Sequence, residues 1–340
     1  METRVGESAR RFEVRGRRAL RGGRLTPYLF MAPGTVLVIL FFVAPAVLIV
    51  LMSLTNMTTA TGFDDWRFVG LENYSRILIH PNSILIVQAT ALFVAVTLGL
   101  FNIGLGLLLA LLTTHIPRRA GFFFRALWLL PRITPVVVYV LVWKYIAAPS
   151  PYGVLNEHLL VPFMGGQGNN LLPEFPWTFV VLISGFVGAS FGMIIFTSAI
   201  EAIPRDYMNA ALVDGAGPWQ RIRYVVLPSL KWPLLFVTTY QTLSLLTTFE
   251  YIFAMTGGNF GTTVWSLWAY ETAFSSYFGN FQYGFGAALA VLLVLVGVVA
   301  SFVYMRFFRF RELVTRPRIE DVRSRGQVSD LLGDRGGQKR

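Results

Sequence analysis

The sequence contains no cysteine among its 340 residues. That absence excludes disulfide bonds, a thiol nucleophile and thiolate metal ligands. Charged residues make up only 14% of the chain, against about 25% in an average soluble domain, whereas hydrophobic residues make up 54%. Such a low charge content, combined with so much apolar side-chain surface, is typical of a protein that spans a membrane.

Motifs of catalysis are also missing. The sequence has neither the Gly-x-x-x-x-Gly-Lys-[Ser/Thr] loop that cradles nucleotide phosphates nor the Gly-x-Ser-x-Gly turn of serine hydrolases. None of its three histidines, His80, His115 and His158, has a second histidine at metal-binding or catalytic spacing. We therefore expect no catalytic residue, no metal site and no cofactor bound by this chain.

Six apolar runs are present, and each is long enough to cross a bilayer, which takes about 20 mostly apolar residues in a helix. They are about Tyr28–Ser53, Ile84–Leu112, Phe122–Ile146, Trp177–Ala199, Trp232–Met255 and Gly284–Phe307. Because backbone groups in lipid must be hydrogen-bonded internally, the runs predict an all-α polytopic membrane protein with six transmembrane helices. The first run is longer than the core of a signal peptide and lacks a small-x-small cleavage site, so it too is expected to span the membrane.

The basic residues predict the orientation. Of the 29, 25 lie in the two tails and in the links that follow the second and fourth runs, or at the edges of those links. Since basic flanks remain in the cytoplasm, both termini are predicted to be cytoplasmic. The chain then divides into a basic cytoplasmic tail (1–26), a six-helix transmembrane domain (27–310) and a second basic cytoplasmic tail (311–340). The net charge of +11 thus reflects topology, and no nucleic acid partner is expected; the tails orient the chain or bind anionic membrane lipid.

The cytoplasmic link between the fourth and fifth runs, residues 200–230, has the pattern of two short amphipathic helices with a break between them. Pro204 suits the first turn of a helix. From Asp214 to Pro218 the chain breaks, because glycine permits left-handed dihedrals and proline suits a new helix start. A helix–turn–helix on the membrane surface can be gripped by a soluble partner; the alternative is an ordinary amphipathic connector.

This link resembles the cytoplasmic motif of ABC importer permeases, which reads Glu-Ala-Ala, a glycine after three further residues, and later Ile-x-Leu-Pro. Two positions depart from it: Asn209 replaces the glutamate and Val225 replaces the isoleucine. The resemblance implies that the link is a coupling helix that docks in a cleft of a separate ATPase subunit. It assigns the coupling role to Asn209, Ala210, Ala211, Asp214, Gly215, Leu227 and Pro228.

Other stretches resemble the maltose and glycerol-3-phosphate type of permease, in order along the chain: Phe68–Tyr74, Leu130–Pro135 (a proline-bracketed bend), Met255–Gly258, Tyr270–Phe274 and Phe285–Ala290. The resemblance implies the type I importer permease fold in a bacterial cytoplasmic membrane. It also implies a second permease, two ATPase subunits that bind ATP and magnesium, an extracytoplasmic solute-binding protein or lipoprotein, and a sugar-like solute.

Polar residues in the fifth run are candidates for contact with that solute. Gln241, Ser244 and Thr248, with Leu245 between them, share one helical face. Uncharged amides and hydroxyls suit the hydroxyl groups of sugars. The alternatives are polar contacts between helices and hydroxyls bonded back to backbone carbonyls. The resemblance places these positions along the solute path.

Three further residues have family positions on the same path: Gly188 and Phe191 in the fourth run and Arg132 in the third. Gly188 could instead belong, with Gly185 and Gly192, to a small-residue packing face. Arg132 could bind solute hydroxyls, reach the headgroups, or pair with Glu250 across the bundle.

Two other classes of function compete with the importer. A secondary transporter driven by an ion gradient should show discontinuous helices in matching halves and buried acidic residues, and only Glu250 approaches the second condition. The other is a membrane scaffold or polytopic enzyme.

Overall fold

The computed structural model describes residues 26–62, 64–164, 169–275 and 279–308, and within these ranges the chain is mostly helical. The two predicted basic tails lie outside the described residues, apart from Thr26. The helices, in chain order, are α1 (Tyr28–Ser53), α2 (Glu72–Ile79), α3 (Ser83–His115), α4 (Arg118–Ile133), α5 (Val136–Ala147), α6 (156–164), α7 (Leu171–Glu174), α8 (Pro176–Glu201), α9 (Arg205–Val213), α10 (218–229), α11 (Lys231–Thr247), α12 (Glu250–Thr256), α13 (Trp265–Phe274) and α14 (Tyr283–Phe307). The all-α prediction is confirmed.

Four of the described helices, α1, α3, α8 and α14, are long and apolar enough to cross a membrane without interruption. The pair α4–α5 makes a fifth span if it is counted as one helix with a bend of 99°. The predicted fifth run, Trp232–Met255, is divided between α11 and α12. The number of six spans therefore stays a prediction. In a count of six, the third span consists of α4 and α5 and the fifth of α11 and α12.

The two broken spans have different causes. Between α4 and α5, Thr134 is extended (φ −76°, ψ 136°) because the following Pro135 excludes it from the helical region. The predicted bend in the third run is thus confirmed. Between α11 and α12, Thr248 is also extended (φ −74°, ψ 125°), although no proline or glycine is near. Its carbonyl accepts a hydrogen bond of 3.1 Å from the Ser266 hydroxyl of α13, so the broken helix end is satisfied by a distant residue.

Helix α8 is the centre of the bundle and packs closely on α3 along a face of glycines. A Cβ atom on Gly185 would overlap the Phe101 ring, and one on Gly188 or Gly192 would overlap Asn102. The interpretation of these three glycines as a packing face is confirmed. The close approach positions Asn102 of α3 directly against Gly188 of α8.

Helix α3 contains a π-helical segment, Thr97–Leu105, in its middle. There the hydrogen bonds span five residues, and a Cβ atom on Gly104 would lie 2.9 Å from the carbonyl oxygen of Gly99. Glycine at position 104 therefore permits the π turn. Such segments inside α-helices are frequent at functional sites.

Candidate functional site: a polar cavity and an exposed loop between α8 and α11

A polar cavity of about 340 Å³ lies where α3, α4, α5, α8, α11 and α12 meet. Both helix breaks border it, since Val136 follows the first and Thr248 lies in the second. Six of the seven residues predicted for the solute path line this cavity: Arg132, Gly188, Gln241, Ser244, Leu245 and Thr248. Residues from three predicted spans thus share one space.

Phe191, the seventh residue, lies beside the cavity and contacts one of its walls. The guanidinium carbon of Arg132 lies 5.2 Å from the centroid of the Phe191 ring. The same ring stacks on Tyr240 of α11, with centroids 4.7 Å apart, and Tyr240 stacks on Phe236 at 6.1 Å. Phe191 therefore joins α8 to α11 and supports the arginine through a cation–π contact, which contributes about 0.5–2 kcal/mol.

Arg132 and Glu250 both line the cavity, but no ion pair joins them in the described part of the chain. The pairing considered from the sequence is therefore wrong for this structure. The bend after α4 aims the arginine at the aromatic ring of Phe191 instead. Arg132 as a residue is exposed within the single chain.

Gln241 is buried, and its side chain ties two helices together. Its Nε2 donates a hydrogen bond of 3.0 Å to the carbonyl oxygen of Gly188. Thr248, one turn beyond Ser244, donates its hydroxyl hydrogen to the Ser244 carbonyl at 2.6 Å. Gln241 therefore makes a polar contact between helices, and the Thr248 hydroxyl is bonded back to a backbone carbonyl, as the two alternatives from the sequence proposed. Both side chains also border the cavity.

Sequence reasoning missed Asn102 and Ser184, which line the same cavity. Asn102 is 0% exposed and Ser184 is 6% exposed. Within the described ranges, neither the amide of Asn102 nor the hydroxyl of Ser184 has a hydrogen-bond partner. The available signal was the position of Asn102 in the middle of an apolar run, where a polar side chain is costly.

The link between α8 and α11, residues 200–230, forms the predicted helix–turn–helix. After α9, Gly215 takes a left-handed conformation with φ +76°. The N–H of Gly215 donates to the Leu212 carbonyl at 3.1 Å, and the N–H of Ala216 donates to the Ala211 carbonyl at 2.9 Å. These two bonds are the Schellman arrangement that ends a helix. Gly215 therefore makes the bend, as predicted.

The second helix of the link also has a defined start. The side chain of Gln220 accepts the Gly217 N–H at 2.7 Å, and Pro218 takes the first position of α10. The preceding end of α8 is tied to α4 by an ion pair of 2.7 Å between Arg125 and Glu201.

The link is presented outward from the bundle. Every residue of α9 is at least partly exposed. Of the seven residues assigned to coupling, Ala211 and Leu227 are half-buried and the other five are exposed. The link also exposes large apolar and aromatic side chains: Tyr207, Leu212, Val213, Trp219 and Tyr224. Apolar side chains exposed in this way are available for contact with a partner protein or with the membrane surface.

Comparison with known proteins agrees with this architecture. Residues 102–312 match the family model described as binding-protein-dependent transport system inner membrane component. The chain is 30% identical over 288 residues to the trehalose/maltose transport system permease protein MalF of Thermococcus litoralis, covering 84% of this chain and 94% of that protein. It is 28% identical over 294 residues to the sulfoquinovosyl glycerol transport system permease protein SmoG of Agrobacterium fabrum, covering 86% and 92%.

A solved structure has the same fold. A chain of a bacterial ABC transporter involved in the import of the acidic polysaccharide alginate superposes with a TM-score of 0.71 at 20% identity, covering 90% of this chain and 100% of that one. The family model alone covers more than half of the sequence. The chain therefore belongs to the binding-protein-dependent transport system inner membrane components, the permease subunits of ABC importers.

Proposed function

We propose that this permease forms the translocation path for a sugar or sugar-like solute and couples its passage to a separate ATPase. The observation that carries the proposal is the cavity of about 340 Å³ between broken helices, bordered by uncharged amides and hydroxyls. Ligand sites are concave, with a few polar groups that fix orientation. The names of the relatives support the solute class, since one concerns trehalose and maltose and another sulfoquinovosyl glycerol.

In this proposal, different cavity residues bind different chemical groups of such a solute. Gln241 and Ser244 offer neutral groups that both donate and accept hydrogen bonds, which matches sugar hydroxyls. Arg132 offers donors only, in a planar fork that fits paired oxygens or an anionic group. The Phe191 ring lies 5.2 Å from the guanidinium carbon, and this cation–π contact leaves the hydrogen-bond donors of the guanidinium for the solute.

The cytoplasmic link transmits force in this proposal. The seven coupling residues, centred on the bend at Gly215, dock on the ATPase subunit, which binds ATP and magnesium. The Arg125–Glu201 ion pair ties α4 to the end of α8 beside the link, so a displacement of the link moves both helices that border the cavity. The cavity then alternates between inward and outward access as the ATPase changes state.

The working assembly contains this chain, a second permease, two ATPase subunits and an extracytoplasmic solute-binding protein. Both termini face the cytoplasm in this proposal, which the distribution of basic residues supports. The exposed apolar side chains of α1 from residue 28 to 43 fit membrane lipid or the second permease.

The experiment has two stages. The solute is identified by thermal-shift screening of the partner binding protein against a panel of carbohydrates. Uptake of that solute and solute-stimulated ATP hydrolysis are then measured with the assembly in proteoliposomes. Uptake that requires ATP supports the proposal, whereas uptake driven by an imposed ion gradient without ATP would show a secondary transporter instead.

The role of Arg132 is tested in the same assay with Arg132→Ala. We expect the half-saturating solute concentration to rise about 10- to 150-fold, because a charged hydrogen bond contributes about 1.5–3 kcal/mol. Lys144→Ala is the matched control, since Lys144 is also a basic residue of the third run and does not line the cavity. Unchanged uptake and unchanged ATP hydrolysis in Arg132→Ala would remove Arg132 from the solute path.

A further inference from the structure

We propose that Asn102 is a specificity-determining residue of the solute site and that its side-chain amide hydrogen-bonds a hydroxyl group of the transported solute. The inference rests on the proposed function, because it names a further contact in the same cavity. Asn102 lies in the second predicted span, outside the segments that the cytoplasmic motif and the polar face of the fifth span singled out.

The hydrogen bonding of Asn102 is unusual for a buried amide. Its side chain is 0% exposed, yet across the described residues neither Oδ1 nor Nδ2 has a hydrogen-bond partner. Buried polar side chains nearly always have a partner, because an unpaired one forfeits its hydration without replacement. An amide kept in this condition lowers the stability of the bundle, so its presence needs another explanation.

The position of Asn102 supplies that explanation. The residue lines the cavity together with Gln241 and Ser244. Gly188 has no Cβ, and this absence makes the space that the Asn102 side chain occupies. The amide of Gln241 reaches the Gly188 carbonyl from α11, so amides from α3 and α11 approach the same residue of α8 from two sides. Both residues border the cavity that a solute would occupy.

The hydrogen-bonding capacity of the Asn102 amide indicates which part of the solute it binds. An amide both donates and accepts, as a hydroxyl group does, and it carries no charge. The Arg132 guanidinium only donates. Asn102 therefore selects for a neutral hydroxyl-bearing part of the solute, while Arg132 takes oxygens that only need to accept.

Thr97 provides a matched control in the same π-helical segment. It is also 0% exposed, and its hydroxyl has no partner in the part of the chain that the structure describes. Unlike Asn102, it does not line the cavity. Thr97→Val and Asn102→Leu each replace an unpaired polar side chain with an apolar one of similar shape, so only the second should affect the solute.

The test uses the complete transporter in proteoliposomes with its binding protein. For Asn102→Leu we expect the half-saturating solute concentration to rise about tenfold, the loss that follows from removing one well-placed hydrogen bond. The thermal unfolding temperature of the assembly should stay equal or rise, because an unpaired buried amide is removed. Thr97→Val should leave the half-saturating concentration unchanged.

Solute analogues identify the contact. In a series of deoxy analogues, one should be imported equally well by the wild type and by Asn102→Leu, since the hydroxyl that Asn102 binds is already absent. An unchanged half-saturating concentration in Asn102→Leu, with or without a lower unfolding temperature, would overturn the proposal, as would a series in which no analogue abolishes the difference. If Asn102→Leu does not assemble, Asn102→Ala decides by the same measurements. Failure of the wild type to import any carbohydrate would instead refute the proposed function.

Discussion

The bend at Gly215 allows a quantitative test of the coupling role, because the free-energy cost of its backbone conformation can be separated from steric collision. Gly215 has φ +76°, and among the described residues no heavy atom lies within 4 Å of the position that a Cβ would take. Gly215→Ala therefore introduces no collision with another part of the chain. The only penalty is the left-handed backbone conformation, which costs an L-residue about 1–2 kcal/mol.

That penalty predicts a measurable loss of binding. If the ATPase recognises the bent link, a cost of about 1–2 kcal/mol for the bent state weakens its binding by up to about 5- to 30-fold, the full loss being reached when the free link is no longer bent. Gly215→Asn is the matched control, because asparagine visits the left-handed region far more readily than alanine. It should retain most of the wild-type affinity, although its side chain is larger than that of alanine.

The assay is the binding of the purified ATPase subunit to the permease in nanodiscs, measured by titration, together with the ATP hydrolysis rate of the reconstituted assembly. The order of affinity should be wild type, then Gly215→Asn, then Gly215→Ala. Equal losses of affinity in the two variants would refute the conformational argument. The losses would then come from adding any side chain and not from the left-handed backbone conformation. Wild-type affinity in Gly215→Ala would show that the bend is not required for attachment.

Two further predictions concern the packing that supports the site. Gly192→Ala should lower the unfolding temperature of the assembly, since its Cβ overlaps the backbone oxygen of Asn102 and overpacking costs about 1–3 kcal/mol. Gly34→Ala in α1, where the described structure leaves open space, should not lower it; equal unfolding temperatures would contradict the close α3–α8 contact. A double-mutant cycle of Arg125→Ala and Glu201→Gln should give a coupling energy below about 1 kcal/mol, since Glu201 is largely exposed. The coupling energy should fall as salt is added, and a value independent of salt would contradict an electrostatic origin.

Much of the architecture follows from local properties of the sequence. Length and apolarity predict each spanning run, since a helix is the way to satisfy the backbone in lipid. Pro135 predicts the bend between α4 and α5, and Gly215 predicts the break in the link between α8 and α11. Each of these features depends on the dihedral preferences of one or two residues, which act wherever the residue stands in the chain. The family motif around Gly215 is local in the same sense.

Tertiary structure decided which polar residues share a space. The break at Thr248 contains neither proline nor glycine, and its carbonyl is satisfied by Ser266 of another helix. Arg132 contacts the ring of Phe191 and not Glu250, a choice set by the relative rotation of the spans. The unpaired amide of Asn102 follows from its burial against Gly188. These arrangements depend on contacts between residues far apart in the chain, and no local pattern specifies which faces of two helices will meet.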